Sequence, residues 1–122
     1  MSDFDRAAPW LEAALKANDK RPLWTLEAVK AEIDSGNAYL WMFPNCCFVT
    51  TITPPYSNGE RVIDAWLGGG DMNEMLQKTP ELEAWGRSVG CTQAHVMGRE
   101  GWTRALAPLG YERYCTTVRK ML

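Results

Sequence analysis

The stretch that most constrains the fold of this chain runs from Arg61 to Asp71, RVIDAWLGGGD. Val62, Ile63, Ala65, Trp66 and Leu67 form a short apolar run broken only by Asp64, which reads as a strand. Gly68, Gly69 and Gly70 then stop it. Glycines at a strand end permit a bulge or a close backbone approach, because no Cβ stands in the way. Asp71 follows as a helix N-cap, with Glu74 in the capping-box position. A strand that passes through glycines into a helix start presents free helix N–H groups, and such places hold anions and cofactors. This junction poses the functional question, and its local sequence gives a mixed answer.

The flanking sequence supplies the other elements. Ala8 to Asn18 reads as a helix with Pro9 in its first turn and Trp10, Leu11, Ala14 and Leu15 on one face. A second helix starts after Thr25 as N-cap, carries Leu26, Val29 and Ile33 on one stripe, and ends at Gly36. Tyr39 to Phe43, Cys46 to Thr53 and Arg61 to Leu67 read as strands. Short turns, Asn58-Gly59 among them, join these into an antiparallel meander. Thr79-Pro80-Glu81 resembles a fresh helix start, so helices are expected over 72 to 78 and 80 to 89, with one kinked helix as the alternative. Cys91 to Met97 is a strand, Glu100 to Leu109 a short helix, and Tyr111 to Met121 a final strand. Strands 61–67 and 91–97 are joined through a helical crossover, which makes them adjacent and parallel. The fold class is α+β, with one domain over residues 1–122.

Composition excludes several functions. The 122 residues suffice for one core, and 46% hydrophobic with 23% charged residues is ordinary for a globular chain. A formal net charge of −2 with no basic block gives no nucleic-acid footprint. No apolar run reaches the ~18–20 residues of a membrane helix. The first ten residues, MSDFDRAAPW, carry acids and no apolar core, so they do not read as a signal peptide. Cys46, Cys47, Cys91 and Cys115 have no CxxC spacing, so free thiols are expected rather than a metal site. His95 is no zinc partner for Cys91, since four strand residues separate them by ~13 Å.

The element order, the Gly110-Tyr111 pair after the last helix, and the phrase Gly98-Arg99-Glu100-Gly101-Trp102 before it carry a resemblance. The pattern resembles the GNAT fold, the acyl-CoA N-acyltransferase architecture. The Gly98–Trp102 phrase is similar to GNAT-like proteins encoded by tailed phages and prophages. The resemblance implies a mixed, mostly antiparallel twisted sheet flanked by helices, and acetyl-CoA or CoA as cofactor with no metal. It also implies a cytoplasmic location, or the host cytoplasm or virion for a phage protein. It places the thioester beside Trp66, Leu67, Gly68, Gly69 and Gly70, opposite Thr92 to Met97, with Lys78 and Arg87 as the cations near the pyrophosphate. The family's Arg/Gln-x-x-Gly-x-Gly/Ala phosphate loop is missing, and Asp71, Glu74 and Glu81 stand near its place, so weak cofactor binding is expected. The family's tyrosine acid falls at Leu106, which cannot donate a proton. The chain is therefore either an N-acyltransferase acting on an unknown amine, or a non-catalytic phage protein that binds another protein in virion assembly or against a host factor.

Individual residues keep two readings each. Gly68–Gly70 form either a bulge beside the oxyanion or only a turn. Asp64, Glu60 and His95 are candidate general bases, or strand residues paired within the sheet. Arg99 and Arg104 either line an anionic pocket or pair with Glu100 and Glu112. Trp24, Trp41 and Trp66 line a groove or fill the core, and Cys47 lacks a nearby His to make it a nucleophile. A last strand at the chain end would leave an open edge, and a homodimer is expected from it. Thiol titration under denaturing, non-reducing conditions is expected to find all four cysteines; two or none would contradict that.

Overall fold

The computed structural model describes residues 2–17, 21–98 and 101–122. Helix α1 (Asp3–Lys16) is nucleated by Ser2, whose side chain accepts from the Asp5 N–H while the Asp5 carboxylate accepts from the Ser2 N–H. This capping box starts the helix five residues before the expected Ala8, and Pro9 lies inside it. The expected end at Asn18 lies outside the described residues. Helix α2 (Leu26–Asp34) has the Thr25 cap, and Gly36 follows it at φ +85°. Strands β1 (Tyr39–Met42), β2 (Cys46–Ile52) and β3 (Arg61–Gly70) form the antiparallel meander. Helix α3 (Met72–Ser88) crosses back to strand β4 (Cys91–Val96), which pairs parallel with β3. The sheet order is β1-β2-β3-β4, so no strand separates β3 from β4.

The sheet is covered on both faces. Ala7, Leu11 and Val29 of α1 and α2 bury against Cys47 and Val49 on one side. Met75 and Leu82 of α3 bury against Cys46, Phe48 and Ile63 on the other. Each fully buried aliphatic side chain contributes about 1.5–3 kcal/mol. Thr50 is buried and accepts from the Trp41 indole N–H at 2.9 Å, which puts Trp41 in the core with its polar atom satisfied.

Four expectations are corrected. The glycines do not end β3. Gly68, Gly69 and Gly70 continue it and pair with Phe48, Cys47 and Cys46, because ladder hydrogen bonds need no side chain. Pro80 does not divide the helix. Met75, Thr79 and Leu82 lie on one buried stripe, and the packing of that stripe outweighs the single backbone bond the proline removes. The Thr79 hydroxyl donates to the Met75 carbonyl at 2.9 Å in the same turn. The last helix is α4 (Gly101–Leu106), followed by a 3₁₀ turn over Ala107–Leu109; Glu100 lies outside the described residues. Finally, Tyr111 to Met121 is not a strand. Its β-rich composition gains nothing without a paired edge. The Tyr111 N–H instead bonds the Leu106 carbonyl, and the Tyr111 side chain is held by α3. The unpaired edge expected at the chain end is that of β4.

The glycines of β3 are fixed by space. A Cβ on Gly69 would lie 2.9 Å from Trp10 Cβ and 3.0 Å from the Trp10 carbonyl oxygen. A Cβ on Gly70, at φ +107°, would lie 2.3 Å from the Asn45 carbonyl oxygen. Gly69→Ala and Gly70→Ala are each expected to destabilise the fold by about 1–3 kcal/mol through overpacking and strain. Gly101→Ala, with nothing within 4 Å of its new methyl, is expected to stay within about 0.5 kcal/mol of the parent in urea unfolding.

Candidate functional site

The site grows from a mismatch in strand length. β3 and β4 pair from Arg61 with Cys91 up to Ala65 with Val96. A last bond runs from the Met97 N–H to the Ala65 carbonyl at 3.4 Å. β4 ends there, while β3 runs on to Gly70 with β2 as its one strand partner among the described residues. The two strands therefore part beyond Ala65.

A bulge sits at the parting. Val49 pairs with Leu67 and the next residue, Thr50, pairs with Ala65, so Trp66 is the extra residue. Trp66 and Leu67 both pack against the α1/α2 core cluster, as consecutive residues do only where the pleat is interrupted. The bulge lies within the expected Trp66–Gly70 segment, but at Trp66 rather than at the glycines. Under the parting, on the α3 side, a mostly apolar cavity of about 40 Å³ is lined by Phe48, Ala65, Gly68, Met75, Trp102 and Leu106. Leu106, at the position where the family resemblance places a tyrosine, is buried there.

Tyr111 lines the same cavity. Gly110, at φ +92°, turns the chain, and the half-buried Tyr111 donates to Glu83 Oε2 of α3 at 2.7 Å. Burial, and then the neighbouring carboxylate, push the Tyr111 phenol well above its ordinary range. Glu83 has no local sequence signal, because its partner lies 28 residues away.

On the α1 side of the same strands stand Asp64 and His95, in register across β3 and β4. His95 Nδ1 lies 3.8 Å from Asp64 Oδ1, and its Nε2 lies 2.9 Å from Gln93 Oε1. Burial raises the Asp64 carboxyl, and the charge of His95 opposes that rise. Glu60 is engaged elsewhere: Thr92 donates to it at 2.8 Å, and that bond, first, lowers its pKa. Trp24 meets Trp66 edge to face at 4.8 Å.

Two acids of this chain stand at the start of α3. Asp71 accepts from the Glu74 N–H at 2.9 Å, which uses one of the free helix donors. Glu74 does not complete a capping box. Its carboxylate reaches the turn between β1 and β2, where it accepts from the Asn45 N–H at 2.9 Å and from Asn45 Nδ2 at 3.2 Å. The backbone bond from Asn45 is the main cause of its lowered pKa. Lys78 lies over the Phe43 ring, 5.3 Å from its centroid, with Glu81 at 3.8 Å, and does not line the cavity. Arg87 lies near the other end of α3, along a groove of about 570 Å³ beside the edge of β4. Arg104 is exposed on α4, and Arg99 lies outside the described residues.

The cysteines are free, and burial first of all raises Cys46 to about 12 and Cys47 to about 11, which leaves no thiolate for attack at neutral pH. Among the described residues no group of three or more His, Cys, Asp or Glu side chains could hold a metal ion. No described helix is long and apolar enough to cross a membrane.

Solved structures share this architecture over nearly the whole chain. A Trypanosoma brucei acetyltransferase superposes with a TM-score of 0.64 at 16% identity, over 100% of this chain and 96% of its own. An aminoglycoside acetyltransferase from an uncultured soil sample, solved with sisomicin, gives 0.64 at 11% identity, over 100% and 93%. Glucosamine-6-phosphate N-acetyltransferase from Arabidopsis thaliana gives 0.62 at 12% identity, over 99% and 94%. At these identities the likeness establishes the fold, which is GNAT-like and α+β. No family model matches the chain, and no curated protein matches it in sequence.

The Tyr111–Glu83 bond makes a pH prediction. The folded phenol titrates above the unfolded value of about 10, so its contribution is complete below pH ~10 and is lost as pH rises towards the folded value. In an ultraviolet titration one of the four tyrosines is expected to ionise well above the rest. Tyr111→Phe should remove that late step and cost about 1 kcal/mol at neutral pH.

Proposed function

We propose that the chain is an acyl-CoA-dependent N-acyltransferase that holds its donor weakly. The observation that carries the reading is the parting of β3 from β4 at the Trp66 bulge, beside an apolar cavity. Among the described residues the backbone of β3 beyond Ala65 has no strand partner on the β4 side, so N–H groups there can meet a carbonyl oxygen beside the apolar cavity. The residues fit the acyl end of the donor. They do not complement its pyrophosphate, because Asp71 and Glu74 stand at the start of α3 where a phosphate needs positive charge.

Acetyl-CoA, when bound, supplies an activated acyl thioester. The protein's part is to hold the carbonyl at the bulge and to take a proton from the amine. His95 is the candidate base for that proton, and the 3.8 Å between its Nδ1 and Asp64 Oδ1 supports the pairing. The amine nitrogen forms the new N–C bond as the C–S bond breaks. One amine proton passes through His95 to solvent and a second ends on the sulfur. The described residues place no phenol at position 106 to deliver the second proton, and water serves instead.

A second reading is favoured by that same buried Leu106 and by the acids of α3: a non-catalytic protein, of the kind phages encode, that keeps the fold and binds another protein. The two are separated by donor binding. CoA at 100-fold over its Kd should stabilise the chain by ~2.7 kcal/mol, a rise in melting temperature of about 10 °C. Asp71→Asn is expected to tighten CoA binding several-fold in calorimetry by removing a like charge. No thermal shift in either protein at millimolar CoA would favour the binding-protein reading.

A further inference from the structure

The chain after Gly110 runs beside β4 without joining it. Among the described residues one backbone hydrogen bond holds this segment, from the Tyr111 N–H to the Leu106 carbonyl at 3.3 Å. A groove of about 570 Å³ is lined by Thr92, Ala94 and His95 of β4 and by Tyr111, Glu112 and Tyr114 of the segment. Side chains do the holding. Tyr111 donates to Glu83 of α3 at 2.7 Å, and Tyr114 lies against His95, ring to ring at 4.9 Å and 39°. Tyr114 stays 77% exposed and Val118 89%, so little buried surface opposes lifting of the segment. Gly110, at φ +92°, supplies a pivot before it.

These contacts bear on His95. Its Nδ1 lies 3.8 Å from Asp64 Oδ1, its Nε2 lies 2.9 Å from Gln93 Oε1, and its face meets Tyr114. For either nitrogen to meet a group from outside, the imidazole has to swing away from Asp64 and Gln93. A second ring packed on its face opposes that swing.

We propose that residues 111–121 form an autoinhibitory strap. The Tyr111–Glu83 bond is its latch, and Tyr114 is the part that holds the imidazole shut. Unlatching about Gly110 lifts Tyr114 and frees His95 to turn outward. The role of His95 as a base rests on the acyltransferase reading; the strap rests on the contacts alone.

The chain has a single histidine, so its carbethoxylation by diethyl pyrocarbonate at pH 7, followed by mass spectrometry, reads the swing directly. Tyr114→Ala is expected to speed the modification about five-fold or more, and Tyr114→Phe, which keeps the ring, to stay within about two-fold of the parent. Tyr111→Phe leaves Tyr114 in place and removes the latch, and is expected to speed the modification about two- to five-fold. Val29→Ala, which empties core space under α2, destabilises the whole fold and should leave the rate unchanged. Circular dichroism on each variant confirms the fold. An unchanged rate in Tyr114→Ala or in Tyr111→Phe, or an equal rise in Val29→Ala, would each overturn the strap. Faster modification in both tyrosine variants with no thermal shift by CoA would instead remove the acyltransferase reading and leave the strap standing.

Discussion

β3 is longer than the strand beside it, and the rest of the molecule follows from that. It spans Arg61–Gly70, while β4 spans Cys91–Val96 and pairs only as far as Ala65. A backbone released from pairing on one edge can remain ordered only if its other edge and both faces are held. β2 holds the edge, through pairing that reaches Gly70. Trp10 and Met75 hold the faces, each standing where a Cβ on Gly69 or Gly68 would be. The bulge at Trp66 is the place where the strand changes from one regime to the other.

The electrostatics of the two ends of this segment differ in kind. At its far end Asp71 and Glu74 spend the start of α3 on the protein itself, the first as a cap and the second as a bond to the hairpin turn at Asn45. This anchors the helix and turn together, and it leaves the helix dipole with little to offer a phosphate. At the near end Asp64 and His95 face each other in a partly exposed position, where desolvation and mutual attraction act in opposite directions on the carboxyl. A fold shared with acetyltransferases is thus combined with carboxylates at the start of α3. Fold alone does not decide chemistry, which is why donor binding and acceptor binding have to be measured apart.

The segment after Gly110 is held by side chains rather than by a ladder. Tyr111 bonds Glu83, Tyr114 meets His95, and the Arg21 guanidinium donates to the Met121 sulfur at 3.2 Å. Its path leads from α3, past the free edge of β4, to the approach of α2. Side-chain contacts of this kind hold a course, but they do not satisfy backbone groups as a strand would.

Much of the fold was legible in the residues themselves. Thr25 as cap, Gly36 as stop, the meander around Asn58-Gly59 and the parallel pairing of β3 with β4 all follow from local chemistry and the handedness of crossovers. The glycines after Leu67 allowed either a bulge or a turn, and the register with β2 places the bulge at Trp66. What the sequence could not decide depended on partners far along the chain. The strand passes through its glycines because β2 pairs with them; α3 passes through Pro80 because its buried stripe lies on the sheet. Glu74 leaves its cap for Asn45, 29 residues away. Tyr111 to Met121 has the composition of a strand and lacks the pairing of one. Periodicity and caps are local properties, so they can be read in order. Pairing, burial and the meeting of Asp64 with His95 are properties of the assembled fold, and only the tertiary structure assigns them.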